Sequence, residues 1–108
     1  MKFAIRTVKF VRKISRDFSL AIVAKQLLRS ATSIGANMRE ADSASSRKDF
    51  INKVLIAKKE AQETEYWIEV VKGVGFINND ENKRELDCLL SECKEIILVL
   101  AAIVRKSK

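Results

Sequence analysis

Hydrophobic residues recur every three or four positions through most of the chain, the spacing of one face of an α-helix. Three such seams run over residues 20–41, 50–71 and 86–104. They consist of Leu20, Val23, Leu27, Ala31, Ile34, Met38 and Ala41; of Phe50, Val54, Ala57, Ala61, Thr64, Ile68 and Val71; and of Leu86, Leu90, Cys93, Ile97, Leu100 and Val104. The second seam is widened by Ile56, Trp67 and Val70, and the third by Leu89, Ile96 and Ile103. The pattern predicts three long amphipathic helices.

Polar residues and glycine beside the seams predict where these helices begin and end. Ser46 and Asp49 have the spacing of a capping box, in which a serine hydroxyl accepts from a free backbone N–H. Gly73 is predicted to end the same helix in a left-handed conformation. The predicted helices extend from a Ser19 cap to about Asp42, from Arg47 to Lys72, and onward from a cap at Asn78 or Asn79.

A further helix is predicted from Phe3 to about Ile14, with two opposed faces. The wide arc is apolar and contains Phe3, Ala4, Val8, Phe10, Val11 and Ile14; the narrow arc is basic and contains Lys2, Arg6, Lys9, Lys13 and Arg16. Such a helix either packs in a bundle or lies on a membrane surface. Three partner helices favour the bundle. We therefore predict one all-α domain over residues 1–108, an antiparallel up-down-up-down four-helix bundle.

Composition argues against an enzyme. The 108 residues include no histidine, so they hold no conventional triad and no histidine metal site, and no glycine-rich phosphate loop is present. Cys88 and Cys93 lie five apart, which is neither metal spacing nor a redox pair, and both are predicted to be buried and reduced. We expect no cofactor, no metal and no small-molecule substrate. The longest apolar run, Ile96 to Val104, is far shorter than the ~20 residues of a membrane span, so we expect a cytoplasmic protein.

The net charge of +7 is unevenly distributed. Residues 1–48 carry eleven basic and three acidic residues, whereas residues 49–108 carry ten basic and eleven acidic ones. A basic face of this kind indicates a polyanionic partner such as RNA, DNA or an acidic membrane. The candidate nucleic-acid-binding residues are Lys2, Arg6, Lys9, Arg12, Lys13, Arg16 and Lys25.

A polar stripe follows the second helix at the spacing of a seam. It comprises Gln26, Ser30, Ser33, Asn37 and Glu40, with Arg29 at its edge. The stripe is a solvated face, a polar network inside the bundle or a second packing surface; its small residues beside Gly35 favour packing. Charged members of a buried stripe need partners, and Glu60 or Glu63 is the predicted partner of Arg29. The candidate network or interface is Arg29, Ser33, Asn37, Glu40, Glu60 and Glu63.

The third helix carries large residues on the arc opposite its seam. Leu55, Lys59, Gln62 and Tyr66 share this arc. One exposed apolar side chain is ordinary, but two on one outer stripe indicate a contact between subunits. We therefore predict self-association through Leu55, Gln62 and Tyr66.

Two stretches carry a family resemblance: QLLRSATSIGAN at 26–37 with Glu40-Ala41, and DFI at 49–51 with IAKKEAQETEYW at 56–67. They resemble the four-helix-bundle proteins encoded in intervening sequences of bacterial 23S rRNA genes. The resemblance implies a homopentamer without catalytic residues. It also implies kinship with the basic pentameric accessory proteins of diversity-generating retroelements, which bind nucleic acid and a reverse transcriptase. Relatives often carry a proline in the first connection, and residues 14–19 contain none.

The sequence therefore predicts a non-enzymatic homo-oligomer that binds nucleic acid, with RNA favoured, through a basic face. The alternative is an interaction scaffold whose basic face docks an acidic protein. A third hypothesis places residues 1–16 on an anionic membrane surface.

Overall fold

The computed structural model describes residues 2–14, 18–75 and 79–108, and these form four α-helices without a strand. The helices are α1 (Lys2–Lys13), α2 (Phe18–Asp42), α3 (Arg47–Val74) and α4 (Asp80–Ser107). The molecule measures 46 × 21 × 19 Å. At 1.5 Å per residue the two 28-residue helices are each about 42 Å long, so they set its length.

The four helices pack as a bundle. α2 contacts α1 and α3, and α4 contacts the same two helices, so α1 and α3 lie at opposite corners. Cross-helix contacts join Arg29 to Glu60, Ser30 to Thr64 and Glu40 to Lys53. Residue numbers thus rise along α2 as they fall along α3.

The predicted seams form the core. Leu27, Val54 and Ile68 are fully buried, and they belong to the same core cluster as Leu86, Cys93 and Leu100 of α4. The prediction for Ile56 was wrong, because its side chain is 44% exposed. Ile56 immediately precedes the buried Ala57, and one step along a helix turns the side chain by about 100°, which carries Ile56 off the packed face.

The helix caps confirm some predictions and correct others. Ser46 Oγ accepts from the Asp49 N–H at 3.0 Å, and Asn79 Oδ1 accepts from the Asn82 N–H at 3.1 Å. α2 begins at Phe18, so Ser19 lies inside its first turn and is not the cap.

The predicted end of α3 was also wrong. Gly75, with φ of 77°, is the left-handed residue, whereas Gly73 is helical. An exposed helix end tolerates a glycine at about 1 kcal/mol, so α3 continues through it. The predicted connections span residues 15–19 and 73–79; residues 15–17 and 76–78 of them, including the alternative cap Asn78, lie outside the described residues.

Candidate nucleic-acid interface

The orientation of α1 is set by its buried side chains. Phe3, Thr7 and Phe10 recur at the three-to-four spacing and are at most 6% exposed. The Thr7 hydroxyl donates to the Phe3 carbonyl at 2.9 Å, which satisfies the one polar group on this face. The opposite face, with Lys2 and Lys9, is therefore turned to solvent.

Two of the candidate cations on α1 form ion pairs with α4. Arg6 binds Glu92, and Lys13 Nζ lies 3.2 Å from Glu85 Oε2. The Arg6 and Lys13 side chains are 46% and 49% exposed to solvent. Because exposed pairs are weak, both cations remain accessible to a stronger anion.

A groove of about 1,120 Å³ runs between α1 and α2 and gathers most of the predicted cations. Its charged lining is Arg6, Lys9, Arg12, Lys13, Lys25 and the carboxylate Glu85; its apolar lining is Val11, Ile14, Ala21, Ala24 and Leu28. Five basic side chains against one carboxylate make the groove electropositive. Helical spacing alone does not place Lys25, on α2, beside the α1 cations; packing of the two helices does.

The candidate cations differ in their surroundings. Lys9, Arg12 and Lys25 are exposed and pair with no carboxylate among residues 2–14, 18–75 and 79–108. Lys2 is exposed but lies outside the groove lining, and Arg16 lies outside the described residues. Among the described residues, the groove therefore presents three unpaired cations and two that are paired at the surface.

Arg29 bridges two carboxylates across α2 and α3. Its guanidinium nitrogens lie 2.8 Å from Glu60 Oε2 and 2.5 Å from Glu63 Oε1, and Trp67 Nε1 donates to the same Glu63 oxygen at 3.3 Å. The Arg29 hydrogen bond, followed by that from Trp67, holds the pKa of Glu63 below its ordinary value, and the two carboxylates raise the pKa of Arg29. The predicted pairing is present, although Arg29 is 49% exposed and not buried.

The rest of the polar stripe is divided between interior and surface. Ser30 is buried, and its hydroxyl lies 2.9 Å from that of Thr64 on α3. Asn37 is half-buried and donates to the Ser33 carbonyl at 2.9 Å. Glu40 is exposed and pairs with Lys53 at 3.1 Å. The stripe is thus not one continuous buried network within a single chain.

The outer stripe of α3 is exposed. Leu55 and Tyr66 are 41% and 59% exposed, and Gln62 is exposed beside them. Two apolar residues of α4 are also exposed, Leu98 at 70% and Val99 at 57%, and the sequence pattern did not predict their exposure. Their signal was present in the run from residue 96 to 104, because an unbroken apolar run contains more side chains than one buried face accepts.

The cysteines lie in different environments. Cys93 is buried, its thiol donates to the Ala61 carbonyl at 3.2 Å, and burial raises its pKa to about 12. Cys88 is exposed, so the prediction that it is buried was wrong. It is not one of the positions of the α4 seam, and Leu89 next to it takes the buried place.

The described part of the chain holds no cluster of potential metal ligands and no helix long and apolar enough to span a membrane. These residues form a four-helix bundle with an electropositive edge, so the protein is of the class of small, basic, helical proteins. The chain belongs to the family of 23S rRNA-intervening sequence proteins, whose model matches residues 1–102.

A solved structure gives a second comparison. The chain is similar to a protein of unknown function from the S23 ribosomal protein family of Bacteroides thetaiotaomicron VPI-5482, with 42% identity and a TM-score of 0.81. The match covers 95% of this chain and 92% of the other. No curated protein matches the chain.

Proposed function

We propose that this protein is a non-enzymatic, homo-oligomeric RNA-binding bundle in the cytoplasm. The observation that carries the proposal is the groove, whose described lining includes five basic side chains from two helices and one carboxylate. Lysine and arginine neutralise phosphates without reading bases, so this binding is independent of sequence and sensitive to salt. Every nucleic acid presents such phosphates, and RNA is taken as the polyanion because proteins of this family are encoded within 23S rRNA genes.

The proposal includes an up-down-up-down arrangement of antiparallel helices. The opposed numbering of the α2–α3 contacts supports it, as does the α1–α4 pairing of Arg6 with Glu92 and of Lys13 with Glu85. In both helix pairs, the residue numbers of one helix fall along the contact as those of the other rise, as expected for antiparallel helices.

The proposal also includes self-association, with a pentamer as the expected assembly because of the family resemblance. Leu55, Gln62 and Tyr66 on the outer stripe of α3 are the proposed contact residues, and their exposure in the single chain supports this role. In a cyclic pentamer the α3 stripe meets a different face of the neighbouring subunit. Since α3 lies at the corner opposite α1, the stripe itself does not cover the groove of its own subunit.

Burial of its apolar face argues against α1 as a membrane-surface helix. Phe3 and Phe10 pack in the core and are 6% and 0% exposed, so they are not available to lipid. The remaining alternative is an acidic protein partner, which would use the same cations.

The test is RNA affinity measured against salt, by fluorescence anisotropy with a structured rRNA fragment. We expect Lys9→Ala/Arg12→Ala to weaken binding and to reduce the log–log salt slope by about 1.5, since each phosphate contact contributes about 0.7–0.9. The matched control is Arg47→Ala/Lys48→Ala, which removes the same charge from exposed residues at the start of α3.

Equal losses in the two double variants would show that net charge and not the groove drives binding. No binding by the wild-type protein at low salt would exclude the RNA proposal and leave the acidic protein partner.

A further inference from the structure

The groove combines a basic rim with an apolar floor. Ile14 and Ala24 are buried at its base, Val11 and Leu28 are half-buried, and Ala21 is exposed. Phosphates contact only the basic rim, so a ligand must also carry apolar surface if it is to cover this floor. Its volume of about 1,120 Å³ is slightly larger than that of the pockets that bind small organic ligands, about 300–1,000 Å³.

Paired and unpaired nucleic acids differ in what they can offer such a groove. A duplex presents its phosphates outward and keeps its bases stacked inside, so it contacts the rim and leaves the floor hydrated. An unpaired base has a free apolar face that leaves water when it is covered. The guanidinium of Arg12 adds a planar cation on which a base can stack.

We propose that the groove binds unpaired nucleotides, with bases on the apolar floor and phosphates on the rim formed by Lys9, Arg12 and Lys25. This inference rests on the proposed function, because it names the form of RNA that the same groove takes. Single-stranded loops, bulges and ends are the partner class, and a continuous duplex is the class that binds less well.

The test compares a single-stranded oligouridine with an RNA duplex that carries the same number of phosphates, at one salt concentration. We expect about tenfold tighter binding of the single strand, because removing roughly 50–60 Å² of apolar surface from water contributes about that factor. Leu28→Gln makes the floor polar without changing any charge and removes most of the preference while duplex affinity stays the same.

Two further variants keep the test independent of folding. Ala21→Gln alters an exposed floor position, so it leaves the core intact and is expected to lower the single-strand preference in the same direction. Leu98→Gln is the matched control for Leu28→Gln, since Leu98 is 70% exposed on α4 and outside the groove, and it retains the wild-type preference.

Equal affinity for single strand and duplex in the wild-type protein would overturn the inference and leave RNA binding standing. A preference that survives both floor variants would also overturn it, since the bases would then lie elsewhere. Competition by poly-glutamate as effective as that by oligouridine would overturn it in favour of an acidic protein. Absence of binding to either RNA would remove the proposed function itself.

Discussion

The α2–α3 pair and the α1 edge meet the rest of the bundle in different ways. Between α2 and α3, small residues such as Ala31 and Ala61 are buried, and a hydroxyl pair joins Ser30 to Thr64. At the α1 edge the helix is only 12 residues long, and an open groove separates part of it from α2.

The two regions also differ in how their basic side chains are paired. Arg29, at the α2–α3 contact, is held by two carboxylates at 2.5 and 2.8 Å, whereas Lys9 and Arg12, at the α1 edge, have no acidic partner among the described residues. Exposed cations elsewhere, such as Lys59 and Lys94, also have no acidic partner among the described residues. What distinguishes the α1 edge is that its cations gather in one groove. The difference supports the proposal that the α1 edge binds RNA while the α2–α3 pair stabilises the bundle.

The largest expected effect is in the core beside the close-packed pair. Leu27→Ala should lower the free energy of unfolding by about 2–5 kcal/mol, because Leu27 is fully buried and its loss leaves a cavity. Leu98→Ala, at a side chain 70% exposed, is the matched control and should change it by about 0.5 kcal/mol or less. Urea unfolding at one fixed protein concentration measures both. Similar losses in the two variants would contradict the assigned core.

A smaller effect is expected at the two ion pairs between α1 and α4. Glu85→Gln/Glu92→Gln frees Lys13 and Arg6 and removes two negative charges near the groove, so RNA affinity should rise by up to about tenfold. The matched control is Glu69→Gln/Glu95→Gln, at two exposed positions that form no ion pair among the described residues. Salt-dependent anisotropy measures both. An equal rise in the control would assign the effect to net charge.

A still smaller effect is expected at the Arg29 bridge. Arg29→Ala should lower the melting temperature by a few degrees, since solvent screening limits such a pair to about 1 kcal/mol. Arg39→Ala, at an exposed arginine on the same helix, is the control. An unchanged melting temperature in Arg29→Ala would remove any stabilising role from the bridge.

The same bridge has a defined pH dependence. The pKa of Glu63 is lowered in the folded state, so its contribution is complete above the ordinary glutamate pKa and is lost as pH falls through the folded value. Glu63→Gln should therefore be less stable than wild type at pH 7 and equal to it in strong acid. A difference that persists in acid would point to packing and not to charge.

Sequence periodicity predicted most of the core because each helix buries one regular face. Val54, Ala57 and Ile68 follow directly from the three-to-four spacing. Ile56 and Cys88 were misplaced because each adjoins a buried residue, and hydrophobicity alone does not decide between neighbours one step apart. The groove was not predictable as a unit, since Lys25 joins the α1 cations only through the packing of α1 on α2.

Gly73 and Gly75 look alike in the sequence but differ in backbone conformation. A Cβ at Gly73 would meet no atom within 4 Å outside the adjoining turns of its own helix, and the residue is helical. Gly75, in contrast, is held at a positive φ that other residues adopt only with strain. Gly73→Ala should thus stabilise the protein by about 0.4–1 kcal/mol by restricting the unfolded chain. Position 73 therefore accepts a side chain, whereas position 75, two residues later, requires glycine for the turn that ends α3.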